Sequence, residues 1–247
     1  MREVVREEYG RRARDHWWFR ARRRIFARLL DRQVPLREGA RIVDVGPGYG
    51  VNAEILAPRG RLAALDLDPA SLRACDGATP VRADAVRPPL RPGSIDLLCA
   101  LDVLEHLDDD AEALLAWRQA LRPDGRLLLS VPAFPALWGR QDVLSEHRRR
   151  YRRAPLEALL RAAGFDVLRS TYFNTLLFPP IALMRIGMRP FLSRSVRDGG
   201  SDLEVSLPFG LDRIPYALFA AEASWLARRD LPFGVSLLAL AAPGARA

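Results

Sequence analysis

The strongest constraint on the fold is a short apolar run that contains an acidic residue and ends in three alternating glycines. Residues 42–50 read Ile-Val-Asp-Val-Gly-Pro-Gly-Tyr-Gly. An apolar run of this kind predicts a buried strand, and the glycines allow a sharp turn into a helix while the backbone stays accessible. We therefore expect a ligand-binding loop where the first strand ends.

The second strand narrows the kind of ligand. Glycine-rich turns also bind dinucleotides and phosphates, so the loop alone leaves hydride, phosphoryl and methyl transfer open. The next apolar run, residues 62–65, ends at Asp66, whose carboxylate can accept hydrogen bonds from ribose hydroxyls. All 38 basic residues are Arg, so the phosphate-binding lysine of a Walker loop is missing. These features favour a nucleoside over a nucleoside triphosphate.

Apolar runs alternate with helical patterns along most of the chain. Strands are predicted at 41–45, 61–66, 80–83, 94–100, 125–131 and 165–173, and helices up to about residue 31 and at 50–57, 69–74, 109–121 and 154–163. Strands and helices that alternate in this way predict a parallel sheet with helices on both faces.

The motifs resemble, in order, those of class I S-adenosylmethionine-dependent methyltransferases of types 11 and 12. The matching segments are the loop at 44–50, residues 65–69, residues 83–85, the fourth strand with its Leu-Glu-His sequence at 95–106, and residues 121–129. Asp124 stands where the family usually has glycine, a minor departure because Asp also tolerates turns. The resemblance extends to about residue 170 and includes bacterial methyltransferases with an H-x-R-R-Y element and ubiquinone-biosynthesis O-methyltransferases as distant relatives.

This resemblance implies a Rossmann-like sheet of seven mostly parallel strands whose last strand is antiparallel. Residues 235–242 are the candidate for that strand. We expect a helical cap at 1–34, a cofactor-binding core at 35–173, a helical insertion at 174–234 between strands six and seven, and the last strand and tail at 235–247. An insertion this long exceeds a hairpin, so we expect it to form a lid over the substrate side.

The resemblance also implies S-adenosylmethionine as the cofactor. It assigns cofactor contacts to Asp44, Gly46, Gly48, Gly50, Asp66, Leu67, Asp84, Ala85 and Leu101. An aromatic-then-arginine segment near residue 20 resembles one in ubiquinone-type enzymes and implies that Arg22 reaches the cofactor carboxylate. A solvated basic helix face is the alternative for Arg22.

Loops beyond the carboxyl ends of parallel strands line the ligand crevice, which places Trp138, His147 and Tyr151 near the acceptor. A hydroxyl acceptor must lose its proton, and an imidazole with a pKa of about 6.5 can accept it, so His147 is the predicted base, together with Tyr151. In the alternative, His147 and Tyr151 hold the loop to the following helix. Trp18 and His106 complete the predicted substrate contacts.

We predict no metal, because Asp102, Glu105 and His106 on one short segment suggest structural roles. The acceptor is expected to be a small or lipid-linked molecule rather than nucleic acid, although the net charge is +8, because the positive charge is mostly scattered.

Residues 176–184 are apolar but too short to span a bilayer. They predict either a packed lid or an interfacial segment whose Arg185 and Arg189 meet lipid phosphates. Lacking an apolar segment near its start, the chain is expected in the cytoplasm, either free or at the membrane periphery.

Two other functions stay open. One is a protein that binds S-adenosylmethionine without transferring a methyl group. The other is an RNA or protein methyltransferase, which is disfavoured because residues 100–103 at the end of strand four, Ala-Leu-Asp-Val, lack the N-P-P-Y type of clamp used by relatives that methylate base nitrogens.

Overall fold

A seven-stranded sheet forms the centre of the computed structural model, which describes residues 13–187 and 212–244. The strands are β1 (Arg41–Val45), β2 (Arg61–Asp66), β3 (Thr79–Arg82), β4 (Ile95–Leu101), β5 (Leu121–Pro132), β6 (Phe165–Phe173) and β7 (Ser236–Pro243). Their spatial order is β3-β2-β1-β4-β5-β7-β6. Only β7 runs antiparallel to its neighbours, which confirms the predicted sheet.

Eight α-helices whose full lengths lie within the described residues connect and cover these strands. They are α1 (Trp17–Gln33), α2 (Ala53–Leu56), α3 (Pro69–Arg73), α4 (Asp110–Ala120), α5 (Arg140–Leu144), α6 (Arg153–Ala162), α7 (Phe178–Ala182) and α8 (Arg213–Leu226). The largest differences from the predicted boundaries are at β5, which begins at Leu121 rather than at residue 125, and at α2, which begins at Ala53 rather than at residue 50 because the glycine loop continues to Asn52.

Two apolar layers cover the two faces of the sheet, as predicted. On one face, Ile25 and Phe26 of α1 pack with Phe219 of α8 against the sheet. On the other face, Trp117 of α4 and Leu156 of α6 are fully buried. Every residue of the central strand β4 is buried, as expected for a parallel strand covered on both sides.

The described parts of the predicted insertion are α7, a π-helical turn at Leu183–Gly187, and α8. Helix α8 packs beside α1 of the predicted cap, so both contribute to the apolar layer on one face of the sheet. The proposed division of the chain at 34, 173 and 234 stays a prediction. Arg189 and the rest of residues 188–211 lie outside the described residues.

Among the described residues, no helix combines the length and the apolar character needed to cross a bilayer.

Candidate cofactor and acceptor site

The glycine loop follows β1, as predicted, and its three glycines differ in their surroundings. Gly46, Gly48 and Gly50 have φ values of +60°, +56° and +67°, in the left-handed region that favours glycine. A Cβ on Gly46 would lie 2.7 Å from Val103 Cγ2, and one on Gly50 would collide with the carbonyl oxygen of Ala74. A Cβ on Gly48 would meet no atom within 4 Å. Packing therefore requires the outer two glycines, whereas Gly48 borders open space.

Asp44 lies within β1, just before the loop, and is 2% exposed. Neither of its carboxylate oxygens accepts a hydrogen bond from any residue that the structure describes. Burial, followed by the nearby charge of Asp66, raises the pKa of Asp44 to about 7. A cationic group placed in this loop would stabilise the ionised carboxylate.

Asp66 ends β2 beside the loop. Val45 pairs with Leu65 in the parallel register of β1 and β2, so Asp66 lies at the same edge of the sheet as the glycines. Asp66 Oδ1 accepts a hydrogen bond from the Asp68 N–H at 2.9 Å, and Asp68 caps the N-terminus of α3, the role its position before Pro69 predicts. The side chain of Leu67 is 59% exposed beside this carboxylate.

The remaining predicted cofactor residues occupy the turn after β3 and the end of β4. Asp84 is exposed, and its Oδ1 accepts a hydrogen bond from the Val86 N–H at 2.8 Å. The Ala85 carbonyl accepts one from Trp117 Nε1 at 2.8 Å, which fixes this turn to α4. Leu101 is 7% exposed at the last position of β4.

Arg22 extends from α1 to the ends of β4 and β5. Its Nη1 lies 2.6 Å from Asp102 Oδ2, and its Nη2 donates to Ser130 Oγ at 3.2 Å. Ser130 Oγ in turn donates to Asp102 Oδ1 at 3.0 Å. Asp102 therefore already pairs with the guanidinium that the resemblance assigns to the cofactor carboxylate, and that assignment stays a prediction.

His147 lies in a partly buried cluster formed after β4 and β5. Its Nδ1 lies 2.8 Å from Asp142 Oδ1, and its Nε2 lies 3.9 Å from Glu105 Oε1. The ring of His106 contacts the His147 ring edge to face, with centroids 4.8 Å apart. Burial, followed by the proximity of His147, lowers the pKa of His106, and burial raises the pKa of Glu105.

Asp142 is a member of this cluster that the sequence motifs do not indicate. Burial would raise its pKa, but hydrogen bonds from His147, Arg150 and the Gly139 N–H outweigh burial and lower the pKa to about 2. Arg150 Nε donates to Asp142 Oδ1 at 2.7 Å, and Arg150 Nη1 donates to the Ala133 carbonyl at 2.9 Å. The only sequence signal for this group is the spacing of an acid five residues before the histidine and eight before the arginine.

Tyr151 is 7% exposed, and its hydroxyl donates to Asp110 Oδ2 at 2.8 Å. Burial, followed by this hydrogen bond, raises the pKa of Tyr151. The contact joins the loop after β5 to the start of α4. The geometry of Tyr151 and of His147 therefore favours the alternative in which both residues hold this loop, while a role as base stays a prediction.

The two predicted aromatic contacts lie on different elements. Trp18 packs against Phe219 with ring centroids 5.1 Å apart, in the interface between α1 and α8. Trp138 follows the 3-10 turn at Pro135–Leu137 after β5 and is half-buried. Their contact with an acceptor stays a prediction.

Comparisons with known proteins agree with this arrangement of motifs. Residues 16–170 match the family described as Methyltransferase domain. The chain is 32% identical over 162 residues to a protein of Mycolicibacterium smegmatis named "Probable S-adenosylmethionine-dependent methyltransferase", covering 63% of this chain and 62% of that protein. It is 35% identical over 111 residues to a ubiquinone biosynthesis O-methyltransferase of Xylella fastidiosa, covering 41% of this chain and 45% of that protein. The alignments thus span less than two thirds of either relative.

A solved structure shares the fold over nearly the whole chain. It is a TehB-like SAM-dependent methyltransferase from Corynebacterium glutamicum, with a TM-score of 0.58 and 18% sequence identity, covering 98% of this chain and 100% of that one. At this identity the likeness establishes the fold.

Proposed function

Because this chain belongs to the methyltransferase domain family, we propose that it transfers a methyl group from S-adenosylmethionine to an oxygen of a small or lipid-linked acceptor. The observation that carries the proposal is the pair of carboxylates, Asp44 and Asp66, on adjacent parallel strands beside the open backbone of Gly48. The named O-methyltransferase among the relatives supports oxygen as the acceptor atom.

The residues at this edge fit the proposed cofactor. Asp44 has a buried carboxylate that lacks a hydrogen-bond partner among the described residues, and it would compensate a positive charge held in the loop. Asp66 would bind ribose hydroxyls, and the exposed Leu67 would cover one face of the adenine. S-adenosylmethionine supplies a methyl group already activated by its sulfonium, so the protein must chiefly position the acceptor.

We propose that proximity and alignment, rather than a free protein base, provide most of the catalysis. His147 has one ring nitrogen at Asp142 and the other facing Glu105, and the Tyr151 hydroxyl donates to Asp110. The Tyr151 hydroxyl is thus engaged as a donor, and the His147 ring is held by Asp142 on one side and faces a carboxylate on the other. The acceptor hydroxyl would lose its proton to water as the methyl group is transferred.

Calorimetry tests the cofactor part of the proposal. S-adenosylmethionine and S-adenosylhomocysteine should both bind, and Asp66→Ala should weaken both by about tenfold or more because one bidentate contact to ribose is lost. Asp124→Ala, at a side chain that is 75% exposed on β5, is the matched control and should bind normally. Absence of heat with either compound would refute the proposal.

The acceptor is tested with S-adenosylmethionine that carries a labelled methyl group. Purified protein is incubated with fractions of a bacterial extract: small molecules, lipids, RNA and protein. Label in the small-molecule or lipid fraction supports the proposal, whereas label in RNA or protein favours the alternative substrates. Cofactor binding without transfer to any fraction would favour the non-methylating binding protein.

We also infer that the apolar turn, defined as Leu183, Met184 and Ile186, brings the protein to a lipid surface where a lipid-linked acceptor lies. These side chains are 72%, 43% and 48% exposed. Arg185 does not join this surface as expected from the sequence, because it is 12% exposed and donates to the Leu137 carbonyl at 3.1 Å. The proposed contact is therefore apolar rather than electrostatic at this residue.

Cosedimentation with phosphatidylcholine and phosphatidylglycerol vesicles tests this contact. Leu183→Ser combined with Ile186→Ser should reduce binding, whereas Leu115→Ser, at a residue of α4 that is 47% exposed, should not. No binding by the unchanged protein would discard the contact.

A further inference from the structure

We propose that Glu105, His106 and His147 bind a divalent transition-metal ion of the zinc type. One carboxylate oxygen and one nitrogen from each ring lie within 4.8 Å of one another. Two imidazoles and a carboxylate form a ligand set that suits zinc and its neighbours in the first transition row. The proposal does not depend on methyl transfer, because metal binding is measured without cofactor or acceptor.

Glu105 provides the first observation that points to a ligand. Its side chain is 0% exposed, and neither carboxylate oxygen accepts a hydrogen bond within the described part of the chain. A buried carboxylate without a partner is unfavourable in its ionised form. A bound cation would offset this cost at the place where the two histidines converge.

The orientation of His147 provides the second observation. When Nδ1–H donates to Asp142 Oδ1, 2.8 Å away, Nε2 is the ring nitrogen left to bind an ion, and it faces Glu105. A carboxylate behind a histidine in this way is the usual support of a metal ligand. The 3.9 Å between Nε2 and Glu105 Oε1 is close to the ~3.4 Å expected for two ligand atoms on one tetrahedral zinc ion.

Hydrogen bonds hold the two ligand-bearing segments together. The Arg148 N–H donates to the Glu105 carbonyl at 2.8 Å, and Arg148 Nε donates to the His106 carbonyl at 3.0 Å. Glu105 and His106 follow β4, whereas His147 lies in the loop that follows β5. An ion at this position would tie these two segments together and leave a fourth coordination position for water.

The expectation of no metal rests on Asp102, Glu105 and His106 on one segment. In the structure Asp102 pairs with Arg22, and His147 brings the third ligand from about forty residues away in the chain. The competing arrangement is a proton shared between His147 and Glu105, with no ion.

The test uses full-length untagged protein, stripped with a chelator and titrated with zinc chloride while its histidine ring signals are followed by NMR. The chain contains three histidines, so His16 at the start of α1 is an internal control. The signals of His106 and His147 should change at one equivalent, and that of His16 should not. No change, or an equal change in all three rings, would overturn the proposal in favour of the shared proton.

Calorimetric titration with zinc then compares variants. Glu105→Gln and His147→Ala should each weaken binding by about tenfold or more, and Asp142→Asn by about 10- to 100-fold through loss of the support for His147. The controls are His16→Ala and Glu222→Gln, the latter at a buried glutamate whose oxygens accept backbone N–H groups. Unchanged affinity in Glu105→Gln and His147→Ala would refute the site. Because the NMR test needs no variant, it decides the question even if these variants fail to fold.

Discussion

Arg22 Nη1 lies 2.6 Å from Asp102 Oδ2, which joins helix α1 to the backbone immediately after β4. Asp102 itself has a φ of +61°, in the left-handed region. Since the Arg22 side chain is 8% exposed and that of Asp102 is 32% exposed, the pair is partly shielded from solvent. It therefore holds α1 at the edge of the sheet where the cofactor motifs end.

A double-mutant cycle with Arg22→Gln and Asp102→Asn should give a coupling energy of about 1–3 kcal/mol in the free energy of unfolding, because the pair is partly desolvated. The same cycle on Arg87 and Glu112, whose side chains are 80% and 42% exposed, should give less than ~0.5 kcal/mol. Urea unfolding measures both. Equal coupling in the two cycles would mean that Arg22 does not anchor α1.

The predicted contact between Arg22 and the cofactor carboxylate needs a different measurement. Arg22→Gln should weaken binding of S-adenosylhomocysteine and leave binding of methylthioadenosine, which lacks the amino acid portion, nearly unchanged. Equal losses for both compounds would point to an effect through Asp102 and the loop.

We expect the substitution of glycine by alanine to have different effects at Gly50 and at Gly48. Gly50→Ala should lower the free energy of unfolding by about 3 kcal/mol or more, because the new methyl group collides with the Ala74 carbonyl oxygen and the φ is unfavourable. Gly48→Ala should cost only about 1 kcal/mol, the strain of its φ, yet weaken cofactor binding. Urea unfolding and calorimetry on both variants separate the packing role from the binding role.

The raised pKa of Asp44 predicts that the free energy of unfolding depends on pH. Its pKa rises from 3.8 to about 7 on folding, so the folded protein holds the proton more tightly than the unfolded chain. The free energy of unfolding contributed by this group therefore falls as pH rises from about 4 to 7. Asp44→Asn should remove this dependence and exceed the parent protein in stability at pH 8 by ~2–4 kcal/mol.

The test measures the free energies of unfolding of the parent protein and of Asp44→Asn at each pH, without cofactor, and takes the difference between them. A difference that stays constant from pH 4 to pH 8 would show that Asp44 is ionised throughout.

Tyr151→Phe should lower the free energy of unfolding by about 1–2 kcal/mol, because the hydrogen bond to Asp110 is lost in a buried position. The rate of methyl transfer at saturating cofactor should change little if Tyr151 only holds the loop. The control is Tyr216→Phe, whose ring lies under the Arg20 guanidinium at 4.7 Å. A large loss of rate with unchanged stability would instead assign the base to Tyr151.

The residue pattern alone predicted a parallel sheet with helices on both faces, the loop after β1 and the carboxylate that ends β2, and the family resemblance added the antiparallel last strand. Those features depend on local causes: apolar runs make strands, glycines permit positive φ, and the carboxyl ends of parallel strands meet at one edge. The pattern of residues along the chain is therefore sufficient to place Asp44, Gly48 and Asp66 together. Local pattern also identified Asp68 as a helix cap.

Only the tertiary structure decided which distant side chains meet. Arg22 pairs with Asp102, and the Tyr151 hydroxyl donates to Asp110. His147 lies beside Asp142, Glu105 and His106. The loops after β4 and β5 bring these groups together because the two strands are neighbours in the sheet. A buried charged or hydrogen-bonding group pairs with a group that tertiary packing brings within about 3 Å. The spacing of residues along the chain does not predict which distant groups come that close.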